Sequence, residues 1–414
     1  MGKTRLTACA AVMHICNREV LNNMNEKIRL GILGIGNMGS AHALHVVEGK
    51  CPDFELAAVA DVKAERLEWA KTTLPETVRR FDSADAMLAS GEVDACMICV
   101  PHYDHPKYAI DCLRRGIHVM VEKPAGVYTK QVRKMNEEAE KHPEVVFGMM
   151  FNQRTNCIYR KVRELVQSGN YGSIRRTNWI ITNWYRPQAY YDSGDWRATW
   201  AGEGGGVLLN QCPHQLDLWQ WICGMPVSVE AKLSYGLWHD IEVEDDVTAY
   251  VRYANGATGV FVTTTGDAHG TNRLEIQLDR ARIVVEGGKI SLLEYEMTEQ
   301  DFSKTNTAPF ATVAANKVEV ETDGENPQHV GVINAWGGAI LRGEPLVANG
   351  SEGINGLTLS NAMHLSSWLG HAVTLPLDED LFCTELMKRV AASKQKTHVR
   401  AVTADTTGSY EGNH

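Results

Sequence analysis

Two short stretches bring together side chains able to move a proton. In Val121–Gly126, VEKPAG, an apolar run ends on the adjacent opposite charges Glu122 and Lys123, and Pro124 stiffens the turn that follows. A lysine at a buried strand end can hydrogen-bond a substrate hydroxyl and help its deprotonation, or it can simply pair with Glu122. The second stretch, Asn210–Asp217 or NQCPHQLD, follows a glycine-rich turn. It belongs to Val207–Trp221, which reads as a helix with Pro213 near its first turns. Asn210, His214, Asp217 and Trp221 stand 4, 3 and 4 residues apart and would share one helical face. An imidazole titrates near neutral pH and suits a general base. Asn210 suits a sugar hydroxyl, and Asp217 suits a hydroxyl or the orientation of the imidazole. A lone histidine on such a face is more often a packed core residue; the amide and carboxylate beside it favour catalysis.

Between the two lies Asn183–Trp200, NWYRPQAYYDSGDWRATW, with three Trp, three Tyr, Arg186 and Arg197. Flat aromatic faces fit the C–H faces of pyranose rings, while Arg, Asp and Gln satisfy hydroxyls. The alternative is a packed surface loop or subunit contact.

These groups need a scaffold, and the chain's opening supplies one. Lys27–Ser40 carries G-x-G-x-x-G at Gly34, Gly36 and Gly39, directly after the strand-like Ile28–Leu33 and before a helix at Ser40–Val47. Gly34 permits the tight turn, Gly36 lets backbone approach a pyrophosphate, and Gly39 allows close helix–strand packing. Ile35, Asn37 and Met38 complete the phosphate loop, and the helix N-terminus offers free N–H groups. A second strand ends in Asp61, 22 residues after Gly39. A carboxylate there accepts from ribose hydroxyls and repels a 2′-phosphate, so NAD is favoured over NADP. In doubly wound sheets ligands bind beyond the strands' carboxyl ends. VPHYDH, Val100–His105, emerges there, putting Val100, Pro101 and His102 near the cofactor; His105 either touches the cofactor or caps the next helix.

Composition narrows the class. A chain of 414 residues suggests two domains, and a formal charge of −10 without a basic stripe argues against a nucleic-acid partner. No apolar run approaches the ~20 residues of a membrane span. Ten scattered cysteines (9, 16, 51, 96, 99, 112, 157, 212, 223 and 383) make no disulfide framework, which favours the reducing cytoplasm. Cys99 with His102 and His105, or Cys212 with His214, lacks structural-zinc spacing, so no metal is expected. Residues 1–26 read as an over-long start or a disordered arm rather than a signal peptide, and 403–414 as a loose polar tail.

From 27 to 150 strands alternate with helices, the pattern of a parallel doubly wound sheet. Strands are expected at Ile28–Leu33, Glu55–Ala60, Ala95–Val100, His118–Val121 and Val145–Met149. From 151 the rhythm changes to a helix at Asn156–Ser168 and a mainly antiparallel sheet. Its strands are expected at Ile174–Trp184, Val229–Trp238, Val247–Tyr253, Thr258–Thr265, Arg273–Leu278 and Arg282–Glu286, with Asn255-Gly256 as a hairpin turn. Helices return at Gln328–Leu341, Ser351–Leu369 and Asp378–Ala392, closing an α/β domain over 151–402.

GIGNMG, VPHYDH, EKPAG and GGGVLLNQCPHQLD, in this order and at these separations, together resemble the glucose–fructose oxidoreductase/inositol dehydrogenase (Gfo/Idh/MocA) family. The likeness covers roughly 27 to 392. It implies a Rossmann domain followed by an α/β domain whose large open, mainly antiparallel sheet makes the contact of dimers or tetramers. It implies catalysis by Lys123 and His214. The residue four before that histidine is commonly Asp in the family and is Asn210 here, a departure that makes Asp217 more interesting. Members with Asn there resemble levoglucosan dehydrogenase and bacterial enzymes that oxidise the C3 hydroxyl of glucosides. Trp196-Arg197 resembles a family feature near the nicotinamide. Gly148–Arg154 corresponds to the crossing between domains, so Asn152 and Arg154 are expected to line the cleft. Tyr185 joins Lys123, Arg154, Asn210, His214 and Asp217 as an expected substrate contact. The expectation is an NAD-dependent oxidoreductase of a sugar or glycoside. The alternatives are a glycoside hydrolase or lyase working by transient C3 oxidation, with Tyr185, Tyr190, Tyr191 and Asp192 as further acid/base groups, and a cofactor-sensing regulator.

Overall fold

Short aliphatic runs closed by polar turns build the first sheet. In the computed structural model, which describes residues 27–394 with Lys396 and Val399, it has six strands. They are β1 (Ile28–Leu33), β2 (Phe54–Ala60), β3 (Arg79–Phe81), β4 (Ala95–Ile98), β5 (His118–Val121) and β6 (Phe147–Met149). Expectations for 1–26 and 403–414, Cys9 and Cys16 included, lie outside the described residues. All pairs are parallel, in the order β3-β2-β1-β4-β5-β6. β4 is buried throughout, and β1 and β5 nearly so, which is why they read as continuous apolar runs. The order reverses between β1 and β4, so the turns leaving Leu33 and Ile98 face one crevice. β3 was not expected: Arg79-Arg80-Phe81 gives no apolar run and sits at the sheet edge.

The second sheet has nine strands: β7 (Ile174–Ile181), β8 (Ser228–Tyr235), β9 (Glu244–Arg252), β10 (Thr258–Thr264), β11 (Asn272–Leu278), β12 (Ala281–Glu286), β13 (Lys289–Tyr295), β14 (Ala315–Glu319) and β15 (Val373–Thr374). The order is β14-β13-β12-β11-β7-β10-β9-β8-β15, and among the described pairs only β7–β10 is parallel. Asn255-Gly256 turns β9 into β10, with Gly256 at φ 86°. β13, β14 and β15 extend the expected sheet at its edges, where half-exposed or very short strands leave a weak pattern.

Alternation gives this sheet two unlike faces. Trp179, Ile181 and Phe261 point inward and are fully buried, while Ile180 points out and is 38% exposed. Helices Pro213–Cys223 and Gly353–Leu369 cover the inner face: Trp219 stacks on Phe261 at 5.5 Å and donates its indole N–H to Thr177 at 3.0 Å. The same core continues through Leu216 and Leu357 to Ala125 and Val121 of the first sheet. Asn361 pins the turn after Lys123, accepting from Thr129 N–H at 3.0 Å and donating to Val127 O at 3.1 Å.

The expected helix over Val207–Trp221 is corrected to Pro213–Cys223. The preceding turn is held from outside: Glu244 at the start of β9 accepts the amides of Gly206 at 2.8 Å and Leu208 at 2.9 Å on its carboxylate. Pro213, which lacks an N–H, then opens the helix. Asn210 therefore precedes the helix and does not share its face.

Candidate active site

The glycine loop has the shape its spacing demands. Gly34 adopts φ 81°, and a Cβ there would lie 2.7 Å from Cys99 O; a Cβ on Gly39 would lie 1.9 Å from Gly34 O. Open space surrounds the corresponding point on Gly36. Gly36 caps a helix, Asn37–Val47, whose first turn carries no acid to quench its positive end. The loop thus fits a dinucleotide pyrophosphate. Asp61 accepts from Ile35 N–H and Lys63 N–H, both at 2.9 Å, fixing its carboxylate beside the loop where the ribose would lie. Arg66, not singled out in the sequence, closes the same rim by donating to Ile35 O at 2.6 Å and to the Ser40 hydroxyl.

At the other end of the crevice the Glu122–Lys123 pair is not an ion pair. Glu122 turns to His42, with Oε1 2.7 Å from Nε2, and accepts Lys123's backbone N–H at 3.0 Å. Burial pushes this carboxyl up, but the His42 hydrogen bond with the His42, His329 and Lys123 charges outweighs it and holds it at about 2. Lys123, at a cis bond to Pro124, instead sends its ammonium to Asn210 O at 3.0 Å. Burial pushes Lys123 below the usual lysine range, against the opposing pull of Glu122 and Glu203. His105 has Nδ1 2.7 Å from Pro124 O and Nε2 2.7 Å from Val100 O, so it staples the two strand-end turns together. His102, beside it at 5.8 Å, meets Trp196 edge-on at 5.7 Å.

His214 lies on the first turn of its helix, 2% exposed, with its ring 6.4 Å from Phe151. Burial first, then the Lys123 charge, drives its pKa well below the usual imidazole value. The imidazole is therefore uncharged at neutral pH. Asn210 donates its side-chain amide to Glu203, a residue absent from the sequence reading. Glu203 is 2% exposed, and its other oxygen accepts Ala198 N–H at 2.6 Å. Burial pushes its carboxyl up, against the nearby Arg197 and its two hydrogen-bond donors.

The aromatic segment divides. Trp184, Tyr191 and Trp200 are core, and Tyr103 of the first domain donates to Trp200 O at 2.7 Å. Tyr185 is 43% exposed. Arg197 stacks on Trp196 at 4.6 Å and Tyr190 at 4.7 Å, and donates to the Tyr190 hydroxyl at 3.0 Å. Two expected substrate contacts face each other instead: Arg154 and Asp217 form a buried bidentate pair at 2.8 and 2.7 Å, with Arg154 also on Glu352 at 2.7 Å. Asp217 therefore does not orient His214, because Arg154 and Gln220 occupy its carboxylate. Asn152, fully buried at the crossing, bonds to Gln328.

Residues 28–149 match the model of an oxidoreductase family with an NAD-binding Rossmann fold, and residues 159–284 match the GFO/IDH/MocA C-terminal domain. The rhizopine catabolism protein MocA of Rhizobium meliloti is 28% identical over 199 residues, 48% of this chain and 58% of that protein, so the match spans little more than half of it. Myo-inositol 2-dehydrogenase of Thermotoga maritima is 27% identical over 263 residues, 62% of this chain and 74% of that protein. The WlbA dehydrogenase of Bordetella pertussis, solved with NADH and UDP-GlcNAcA, superposes with a TM-score of 0.70 at 27% identity, covering 85% of this chain and 100% of that one.

Proposed function

The chain belongs to the GFO/IDH/MocA oxidoreductase family, and from that premise we propose that it is an NAD-dependent dehydrogenase oxidising a secondary hydroxyl, at C3, of a glucose-like sugar or glycoside. A relative named myo-inositol 2-dehydrogenase and a dehydrogenase solved with UDP-GlcNAcA support a polyhydroxylated ring as substrate. Bound NAD supplies the acceptor for the hydride released by the carbinol carbon. Gly34–Gly39 and Asp61 hold its pyrophosphate and ribose, while Val100, Pro101, His102, Asn152, Trp196 and Arg197 surround the nicotinamide end. His214, neutral because it is enclosed, takes the hydroxyl proton. The Lys123 ammonium donates to the oxygen as negative charge develops on it. Asn210 and Tyr185 hold neighbouring hydroxyls and the ring face. We assign 27–150 to the cofactor domain and 151–402 to the substrate domain.

The observation that carries this reading is the 3.0 Å bond from Lys123 Nζ to Asn210 O. It joins the end of β5 to the segment that leads into His214. Redox-neutral glycoside cleavage would need a further base, and two of the tyrosines suggested for it are engaged: the buried Tyr191 donates to Thr265 at 2.7 Å, and Tyr190 accepts from Arg197. The test is purified protein with NAD against methyl glucosides, free aldoses and inositols, reading NADH and released aglycone together. NADH formed in proportion to oxidised sugar supports the reading. Aglycone release with only catalytic NAD would replace it by the elimination route.

A further inference from the structure

A primary amide has an acceptor end and a donor end, and what it offers a ligand depends on which end the protein takes. Asn210 is gripped twice. Its backbone carbonyl accepts from Lys123 Nζ at 3.0 Å, and its side-chain Nδ2 donates to Glu203 Oε1. Among the described residues no protein donor bonds its Oδ1. The residue is half-buried.

Glu203 is itself held. Its second oxygen accepts Ala198 N–H at 2.6 Å, and Ala198 sits at φ 53°, a left-handed conformation unusual for alanine, with its side chain fully buried. Glu203 leads directly into Gly204–Gly206, where a Cβ on Gly206 would lie 2.0 Å from Glu244 O, so the turn between Glu203 and Asn210 cannot relax outward. Both Glu203 oxygens face N–H donors, Ala198 and the Asn210 amide, as a carboxylate acceptor requires, and the Arg197 charge opposes the upward push of burial on this carboxyl. An ionised carboxylate only accepts hydrogen bonds. It therefore selects the N–H side of the Asn210 amide and excludes the flipped one.

We propose that Glu203 is a positioning residue that locks the Asn210 side chain with its carbonyl oxygen toward the substrate. Asn210 then acts as a fixed, uncharged acceptor for a sugar hydroxyl beside the one that reacts. For its effect on turnover the inference rests on the dehydrogenase reading above; the lock itself does not.

The two parts are separated by a reciprocal swap. E203Q gives the partner its own N–H donors and frees the amide to flip. N210D sets two carboxylates face to face. In E203Q/N210D a glutamine donates to an aspartate, restoring one donor and one acceptor with the acceptor still on residue 210. Urea denaturation, which needs no substrate, is predicted to show both single variants less stable and the pair recovering most of the loss. In kcat/KM for the accepted sugar, E203Q is predicted to lose about tenfold, the size of one mis-set hydrogen bond, mainly through KM, with NAD affinity unchanged. The double variant is predicted to regain most of that loss. Additive losses in urea overturn the lock. Coupling in urea with sugar kinetics unchanged in E203Q overturns the positioning role. If a single variant does not fold, recovery of fold in the double variant is the supporting result and its absence overturns the pairing. Wild-type failure to oxidise any sugar would instead count against the function, leaving the urea cycle to judge the lock.

Discussion

Enclosure lowers the proton affinity of both His214 and Lys123, with opposite consequences for turnover. In the proposed reaction His214 is a neutral base, so a pKa below 6.5 extends its working range toward acid. In the same proposed reaction Lys123 acts as a cation, so a pKa below 10.5 brings its loss earlier on the alkaline side. The predicted profile of kcat/KM against pH is a bell whose acid limb lies below pH 6.5 and whose alkaline limb lies below pH 10.5. An acid limb at or above 6.5 would contradict the neutral-base assignment. The same sign governs stability: a buried imidazole with a lowered pKa stabilises the fold above its unfolded value and loses that contribution as pH falls. Both residues were legible in the sequence because charge interrupts an apolar strand at Lys123, and because imidazole and amide recur near a glycine-rich turn at His214. Glu203 was not. A glutamate before glycines carries no periodic signal, and its partners, Asn210 and Ala198, are met only in the folded turn.

The elements carrying these residues were readable where one physical rule dominated. β1, β4 and β5 are buried on both faces and read as apolar runs; β7 and β10 are buried on one and alternate. The rule failed at 207–212, where Pro213 has no N–H to bond back to residue 209 and interrupts the helical ladder, and the Glu244 carboxylate holds the Gly206 and Leu208 amides of the turn before it. Helical spacing correctly put His214 and Asp217 on one helix but could not say what would meet Asp217. It meets Arg154, from the short turn after β6, and the two side chains are each 1% exposed. That pair fastens the interdomain crossing to the helix that carries His214. R154M strands the buried Asp217 carboxylate and is predicted to cost about 3–5 kcal/mol of stability in urea unfolding. A loss under about 1 kcal/mol would mark the pair as no stronger than a surface bridge.

At the scale of the molecule, the second sheet buries one face under helices, and among the described residues its other face stays partly exposed. Ile180 and Tyr250 stand on that outer face at 38% and 37% exposure, one from β7 and one from β9. We propose that this face is buried against a second copy, and sedimentation is expected to give a dimer or tetramer; a monomer at micromolar concentration would contradict it. Chemistry depends on the two domains meeting: Gly34–Gly39 and Lys123 come from the first sheet, Asn210 and His214 from the second domain, and one continuous core joins them. The central claim is that Lys123 and His214 together handle the proton of a sugar hydroxyl oxidised by NAD. Its most direct test is steady-state NADH formation from the accepted sugar by the wild type, K123M and H214A, with NAD affinity measured alongside. Each substitution is predicted to lower kcat by about 10²–10⁴ with NAD binding unchanged. Either variant turning over sugar at the wild-type rate would contradict the claim.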